Sequence, residues 1–429
     1  MSDNSLILSK SDTNTFCTIQ LTGSKSESNR ALILNALSRG KVVVHNLSSA
    51  DDTVILNGVL RNLEAGKDNA TFGSGSLTHS DGELTVNIGP AGTAMRFLTA
   101  YLSVTGANAV LTGTERMKQR PIEILTDALR QLGAEIQYAG IEGFPPLRFS
   151  NEFKQAANKV SIRGNVSSQY ITALLLVAPF LEKGLELHIE GELTSRPYVE
   201  MTLAMMEEAG ISYNWNDSVI SVNNQDFKDS QITIEPDWSA ASYWYAIAAL
   251  SKEARIILPY LKPHSLQGDS RITQIMEHFG IRSSFTDEGL EIVKTGDIPT
   301  GIFFDLKDCP DLAQTVIVVS AALGHNATFT GLETLKIKET DRIKALQNEL
   351  AKIGVVLEED GEQYHLDCSN LHFPGRIAIE TYEDHRMAMA FAPLALKIQQ
   401  LEIEEPGVVV KSYPAFWDDL QKAGFTINS

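Results

Sequence analysis

The strongest constraint on what this chain can fold into is a helix ending that recurs six times. In "LRNLEAG", "LRQLGAEIQY", "MMEEAGISY", "IMEHFGIRSS", "LAKIGVVLEE" and "LQKAGFTI" an amphipathic stretch ends on a glycine, and a strand usually follows. The glycines are Gly66, Gly133, Gly210, Gly280, Gly354 and Gly424, spaced by 67, 77, 70, 74 and 70 residues. Glycine just past a helix takes the left-handed conformation that lets the last carbonyls find partners. One such ending is ordinary; near-equal spacing of six predicts a repeat architecture. Short β-branched runs at 41–47, 83–89, 108–113, 185–191, 231–235 and 254–259 are bounded by Gly, Pro or Asn and predict strands. Each unit therefore reads as strands alternating with two helices, and six units can form two lobes of three. "EPDWSAASYW" (235–244), in which Pro236 breaks a strand before a new helix, reads as a crossing between the lobes.

The length, 429 residues, exceeds one ordinary core. No apolar run reaches the roughly 20 residues of a membrane helix, and Met1 to Ser11 lacks the basic-then-apolar order of a signal peptide. Cys17, Cys309 and Cys368 are scattered and odd in number, which predicts reduced thiols, a cytoplasmic location and no metal site. A formal net charge of −18 argues against nucleic acid or an anionic membrane as partner.

Against that acidic background, cations and hydroxyls gather where helices begin. The first N–H groups of a helix lack internal partners and carry the positive end of its dipole. Added cations make such an end a seat for phosphate or carboxylate, although a capping serine beside solvated charges explains any one case taken alone. Ser24, Lys25, Ser26 and Arg30 open the first apolar helix. Gly89 and Gly92 permit close backbone approach, with Thr93 as a possible cap and Arg96 in the first turn. Arg116, Lys118 and Arg120 precede Pro121, which suits helix position N1. Ser167, Ser168 and Gln169 precede another apolar helix, and Ser195, Arg196 and Tyr198 surround Pro197. Lys338, Glu339 and Arg342 have the spacing of neighbours on one helix. Asp384 is the expected N-cap ahead of His385, Arg386 and a Met-Ala run, and Lys411 is expected to end a strand. If the helices of each lobe run parallel, these ends converge on one cavity for a ligand with several negative charges.

In order along the chain, "GSKSESNRAL", "AGTAMR", "RMKQRP", "SSQY", "SRPY", "PDLAQT", "KETDR", "DHRMAM" and "KSYP" resemble the motifs of the 5-enolpyruvylshikimate-3-phosphate synthase family (3-phosphoshikimate 1-carboxyvinyltransferases). The resemblance implies an α/β fold: a two-lobed inside-out α/β barrel of six βαβαββ units, three per lobe. Lobe I would comprise residues 1–22 and 236–429, and lobe II residues 23–235. It implies transfer of the enolpyruvyl group of phosphoenolpyruvate to the 5-hydroxyl of shikimate 3-phosphate through a tetrahedral intermediate, with release of phosphate and no cofactor or metal. The pathway would be that leading to chorismate and the aromatic amino acids. Shikimate 3-phosphate would meet Lys25, Ser26, Arg30, Ser167, Ser168, Gln169, Ser195, Tyr198, Asp311 and Lys338. Phosphoenolpyruvate would meet Lys25, Gly92, Arg120, Gln169, Arg342, Arg386 and Lys411. Asp311 is the implied base for the hydroxyl, with Glu339 or Lys25 as the acid for the methylene carbon; sequence does not choose between these two.

The chain departs from the family pattern at Pro90 and Thr334, where asparagine is frequent, and at Phe97, where proline is frequent. Two competing readings are a sister family that uses UDP-N-acetylglucosamine as acceptor and a non-enzymatic clamp built of repeats. The sister family usually carries a cysteine in the loop equivalent to 114–121, and this loop has none. A clamp would not need Asp311, Glu339 and the cations. A monomer, open without ligand and closing on shikimate 3-phosphate, is the expected behaviour, and Gly92 implies sensitivity to glyphosate.

Overall fold

All six repeat glycines adopt positive φ, from 60° at Gly66 to 111° at Gly133. The computed structural model describes residues 5–66, 69–80, 82–150, 152–296 and 302–428. The helices these glycines follow are Asp51–Glu64, Glu123–Leu132, Arg196–Glu208, Ile272–Glu277, Arg342–Ala351 and Phe416–Lys422. Each repeat also holds a second helix of different character. Gly92–Thr105, Ser168–Val177, Trp238–Leu250, Ala313–Ala322 and His385–Phe391 are buried at almost every position, and Lys25–Leu37 at most. A helix apolar on all sides has no face for water and is stable only inside a core.

The strands follow one scheme. Lys159–Arg163 pairs in parallel with Leu185–Glu190, then Val219–Val222 and Asn214–Asn216 add antiparallel neighbours. The same order links Phe303–Asp305, Ala327–Thr330, Gln363–Asp367 and Val356–Asp360. It also links Glu83–Asn87, Ala109–Thr112, Leu147–Phe149 and Ile136–Tyr138, where the hairpin Ala70–Phe72 and Gly75–Ser80 extends the sheet. The chain's first described strand, Ser5–Ser9, completes the sheet of Arg376–Ile379, Gln400–Glu404 and Thr426–Asn428. Burial alternates along these strands, as in Lys159–Arg163, so one face of each sheet covers the buried helices and the other meets solvent.

The chain divides into two compact units, 1–22 with 235–429, and 23–234. Two strands show how the chain passes between them. Thr15–Thr18 precedes Lys25–Leu37 in sequence but pairs in parallel with Ala254–Leu258 of its own unit. Ser230–Thr233 precedes Trp238–Leu250 but pairs with Val42–His45. Glu235 belongs with the larger unit because its carboxylate accepts from Trp238 Nε1 (2.8 Å), Lys262 N (2.8 Å) and Ser265 Oγ (2.6 Å). Among the described residues, no helix is long and apolar enough to cross a membrane.

Several local expectations are corrected. Pro121 is not at N1: the helix begins at Glu123 with Ile122 as its N-cap. Thr93 does not cap its helix, which starts at Gly92; its hydroxyl instead accepts from Gln169 Nε2 at 3.2 Å. Lys338 and Arg342 do not share a helix, because Asp341 caps Arg342–Ala351 by accepting from Lys344 N at 3.1 Å, leaving Lys338 on the preceding turn. Lys411 closes the 3-10 helix Pro406–Lys411, not a strand, because Glu405 turns left-handed (φ 48°) and Pro406 suits a helical first turn.

Candidate active site

In the unit 23–234 the first turns of several helices meet. Ser24 and Ser167 cap Lys25–Leu37 and Ser168–Val177 by accepting from the N–H groups of Glu27 and Gln169. Arg30, one turn inside the first helix, is buried and ties that helix to Ser168–Val177 and Arg196–Glu208. Its Nε donates to Thr202 Oγ1 (2.8 Å), Nη1 to the Ser26 carbonyl (2.7 Å), and Nη2 to the Tyr198 carbonyl (3.1 Å) and Thr172 Oγ1 (3.3 Å). All four acceptors are uncharged. The Phe97 ring lies 5.8 Å from the guanidinium, so this departure from the family pattern backs Arg30 with a cation–π contact. Burial pulls the Arg30 pKa down to about 10, with Tyr198 and Glu27 opposing it, so the group stays cationic at neutral pH. A buried cation held by neutral oxygens is suited to an anionic ligand.

Lys25 pairs with the buried Asp52 at 3.1 Å. Arg120 is buried beside Gly92, where an added Cβ would stand 2.7 Å from its Nη1. Arg96 lies behind it, donating to the carbonyls of Gly92 (3.1 Å) and Pro121 (3.3 Å). Ser195, left-handed at φ 54°, opens Arg196–Glu208 and brings Tyr198 to Arg30. Arg116, Lys118 and Arg196 take surface partners instead: Gln119, Glu115 and Glu200.

The other unit holds a network of opposite charges. Arg342 donates from Nε to Asp384 Oδ2 (2.7 Å), from Nη1 to Asp311 Oδ1 (3.4 Å), and from Nη2 to Glu339 Oε2 (3.0 Å) and Asp384 Oδ1 (3.4 Å). Lys411 Nζ donates to Glu339 Oε1 at 2.8 Å, so both acid oxygens face cations. Arg386 reaches Asp311 Oδ2 at 2.8 Å, and Lys338 lies 3.8 Å from Asp311 Oδ1. Burial opposes the Arg342 charge, but Asp384, Glu339 and Asp311 outweigh it and raise its pKa above the ordinary value.

Asp384 is held in place by a strained turn. Tyr382 and Glu383 are consecutive left-handed residues at φ 54° and 57°, a conformation costing about 1–3 kcal/mol per non-glycine residue. The Tyr382 hydroxyl donates to Glu349 Oε1 at 2.9 Å, and Glu349 Oε2 also accepts from Glu380 N at 3.2 Å and Lys352 Nζ at 2.6 Å. Helix Arg342–Ala351 thus grips the turn near both of its ends. Tyr382→Phe removes the bond to Glu349 and the exposed one the hydroxyl accepts from Asn348 Nδ2 (3.1 Å), and the expected loss is about 1.5–3 kcal/mol in urea unfolding, dominated by the bond to the charged group.

Comparisons with known proteins show the family of the chain. A sequence profile of EPSP synthase (3-phosphoshikimate 1-carboxyvinyltransferase) matches residues 12–420. The chain belongs to the EPSP synthase family. A 3-phosphoshikimate 1-carboxyvinyltransferase of Bacteroides fragilis (strain YCH46) is 47% identical over 96% of each chain. One of Photorhabdus laumondii is 37% identical over 94% of this chain and 95% of its own. Among solved structures, an EPSP synthase of Acinetobacter baumannii superposes with a TM-score of 0.76 at 18% identity, covering 99% of this chain and 100% of that one. The chain therefore has the α/β fold of EPSP synthases.

Within this family member, sequence reasoning missed several partners of the candidate residues. Asp52 belongs to none of the motifs, and its pairing with Lys25 spans two helices. Thr172 and Thr202, which orient Arg30, sit inside apolar helices and carry no motif. Ser239, Tyr243 and Asp269 around Arg386 gave no signal in the sequence beyond ordinary helix-start chemistry.

Proposed function

We propose that this chain transfers the enolpyruvyl group of phosphoenolpyruvate to the 5-hydroxyl of shikimate 3-phosphate, releasing inorganic phosphate, and that it does so with the residues described above. One observation carries the assignment of roles: Asp311 and Glu339 flank the same guanidinium, at 3.4 and 3.0 Å from Arg342 nitrogens. A cation that can hold a substrate carboxylate between a base and an acid suits addition across a double bond. Lys25, Gly92, Arg120, Gln169, Arg342, Arg386 and Lys411 meet phosphoenolpyruvate, and the cations among them hold its carboxylate and phosphate. Lys25, Ser26, Arg30, Ser167, Ser168, Gln169, Ser195, Tyr198 and Lys338 bind shikimate 3-phosphate, with Asp311 next to the reacting hydroxyl.

Asp311 takes the hydroxyl proton as the oxygen bonds to the central carbon of the enol, and the methylene carbon gains a proton to become methyl. Elimination reverses that second transfer: the methyl loses a proton, the carbon–oxygen bond to phosphate breaks, and the vinyl group is restored. Cations around both anionic groups stabilise the intermediate. Glu339 accepts from Lys411 and Arg342, an arrangement that favours its carboxylate form. For it to donate a proton, the incoming anions must draw those cations away. Lys25, bonded to Asp52, remains the alternative donor. The chain acts as a cytoplasmic monomer in this reading, and its free thiols Cys17, Cys309 and Cys368 suit a reducing compartment.

The test is phosphate release from phosphoenolpyruvate with shikimate 3-phosphate or UDP-N-acetylglucosamine as acceptor. Release with only the first supports the reading, and release with only the second overturns it. Inhibition by glyphosate, competitive with phosphoenolpyruvate, is expected in the same assay. Gly92→Ala places a methyl 2.7 Å from Arg120 Nη1, so the guanidinium must shift. The Michaelis constant for phosphoenolpyruvate should rise, and the glyphosate inhibition constant should rise by about tenfold more, since the longer inhibitor needs the space. Equal losses for both would mean that Gly92 acts only through Arg120.

A further inference from the structure

Arg386 is held by more than the carboxylate beside it. Its Nη2 donates to Asp311 Oδ2 (2.8 Å) and Ser239 Oγ (3.3 Å), and its Nη1 to the Asp311 carbonyl (3.2 Å) and the Tyr243 hydroxyl (3.3 Å). Ser239 in turn donates its hydroxyl hydrogen to Oδ2 of Asp269. Asp269 is only 4% exposed and lies in the short 3-10 helix Gly268–Arg271. The adjacent Gln267 fixes this segment against the start of helix Trp238–Leu250: its Oε1 accepts from Trp238 N (2.9 Å) and its Nε2 donates to the Pro236 carbonyl (2.9 Å). Asp269 and Ser239 are therefore held in register by bonds independent of their own.

We propose that Asp269 is a positioning residue for the enolpyruvyl transfer: through the Ser239 hydroxyl it aims the Arg386 guanidinium at Asp311. The inference rests on the roles given above to Arg386 and Asp311. A serine hydroxyl has one hydrogen, and a guanidinium is only a donor. With the hydrogen committed to Asp269, the Ser239 lone pairs face Arg386. Without that acceptor the hydrogen is free to turn, and donor can meet donor. Misplacing a reacting or orienting group by about 1 Å can cost about 10²-fold in rate.

The charge on Asp269 adds a second handle. Burial, then the nearby Asp311, push its carboxyl up to about 7, while Arg386 and the Ser239 bond pull the other way and Asp237 adds to the rise. Cys309 also faces it, and burial, then Asp269, push that thiol up to about 12. As an acid, Asp269 keeps one oxygen that can accept from Ser239, but the bond loses its charge assistance, so the aim of Arg386 weakens only in part as pH falls through about 7. Folding carries the opposite sign. A carboxyl whose folded value is raised adds stability that is present in acid and lost as pH rises through about 7. Asp269→Asn should therefore melt higher than the parent above neutrality, where a residue kept for stability would melt lower.

The experiment is steady-state kinetics of the full chain with both substrates for Asp269→Ala, Ser239→Ala, the double variant and Asp269→Asn, with melting curves across pH. Each alanine variant should lower kcat/KM for phosphoenolpyruvate by about 10–100-fold and leave the KM for shikimate 3-phosphate within about twofold. The double variant should be no worse than the poorer single, because both cut the same link. Asp269→Asn keeps an acceptor oxygen but no charge, so it should recover most of the activity lost in Asp269→Ala and lack the parent's further gain as pH rises from 7 to 8. Substrate ionisation is common to all variants and cancels in the comparison. Alanine variants within about twofold of the parent, or a double loss equal to the product of the singles, would overturn the proposal. A parent that does not turn over these substrates would overturn the functional reading, and this inference with it.

Discussion

Asp311→Asn lowers kcat by about 10²–10⁴-fold, the usual size of a lost general-base contribution, while shikimate 3-phosphate still binds. The substitution keeps the shape and one acceptor oxygen but cannot take the hydroxyl proton. The structure adds a second consequence. The Asp311 carboxylate accepts from Arg342 at 3.4 Å and Arg386 at 2.8 Å. An amide can satisfy only one of these donors and turns its N–H groups toward the other. The KM for phosphoenolpyruvate should therefore change as well, by less than kcat does. Calorimetric titration of shikimate 3-phosphate and single-turnover measurement of phosphate release separate the two effects. A kcat within about tenfold of the parent would remove Asp311 from the role of base.

Arg342→Leu should destabilise the fold by about 3–5 kcal/mol, the range found when one partner of a buried ion pair is removed, and abolish turnover. Arg342 is 1% exposed and Asp384 fully buried. Asp384 also accepts from the Arg386 backbone N–H at 2.8 Å as the cap of His385–Phe391, so it cannot turn away when its cation is lost. The leucine variant leaves this carboxylate charged in a dry environment. Urea unfolding reads the loss directly. Adding Asp384→Asn to Arg342→Leu should return part of the stability, because it removes the stranded charge. Arg342→Lys should fall between parent and leucine variant, since an ammonium supplies charge but not the fork that spans Asp384, Glu339 and Asp311. A loss under about 1 kcal/mol for the leucine variant would show that water reaches Asp384.

What could be read in the sequence was whatever depends on a few neighbouring residues. The six glycines end six helices because the left-handed C-cap is a local backbone requirement, and all six have positive φ. Ser24, Ser167 and Asp384 cap helices because a short side chain reaches only N–H groups two or three residues on. Motif order along the chain carried the family, and with it the fold. Local signals failed where two of them competed. The valines before Lys411 favour a strand, yet left-handed Glu405 and Pro406 start a 3-10 helix. The spacing of Lys338 and Arg342 suits a helix face, yet Asp341 starts the helix between them. Tertiary structure alone decided the partners: Lys25 with Asp52, Arg30 with Thr172 and Thr202, and Asp311 with Arg342 and Arg386 at separations of 31 and 75 residues. It alone returned Thr15–Thr18 and Ser230–Thr233 to sheets away from the helices they precede. These pairings depend on which charged groups are desolvated together and on which strand edges are left unpaired, quantities set by the packed chain and carried by no short stretch of residues.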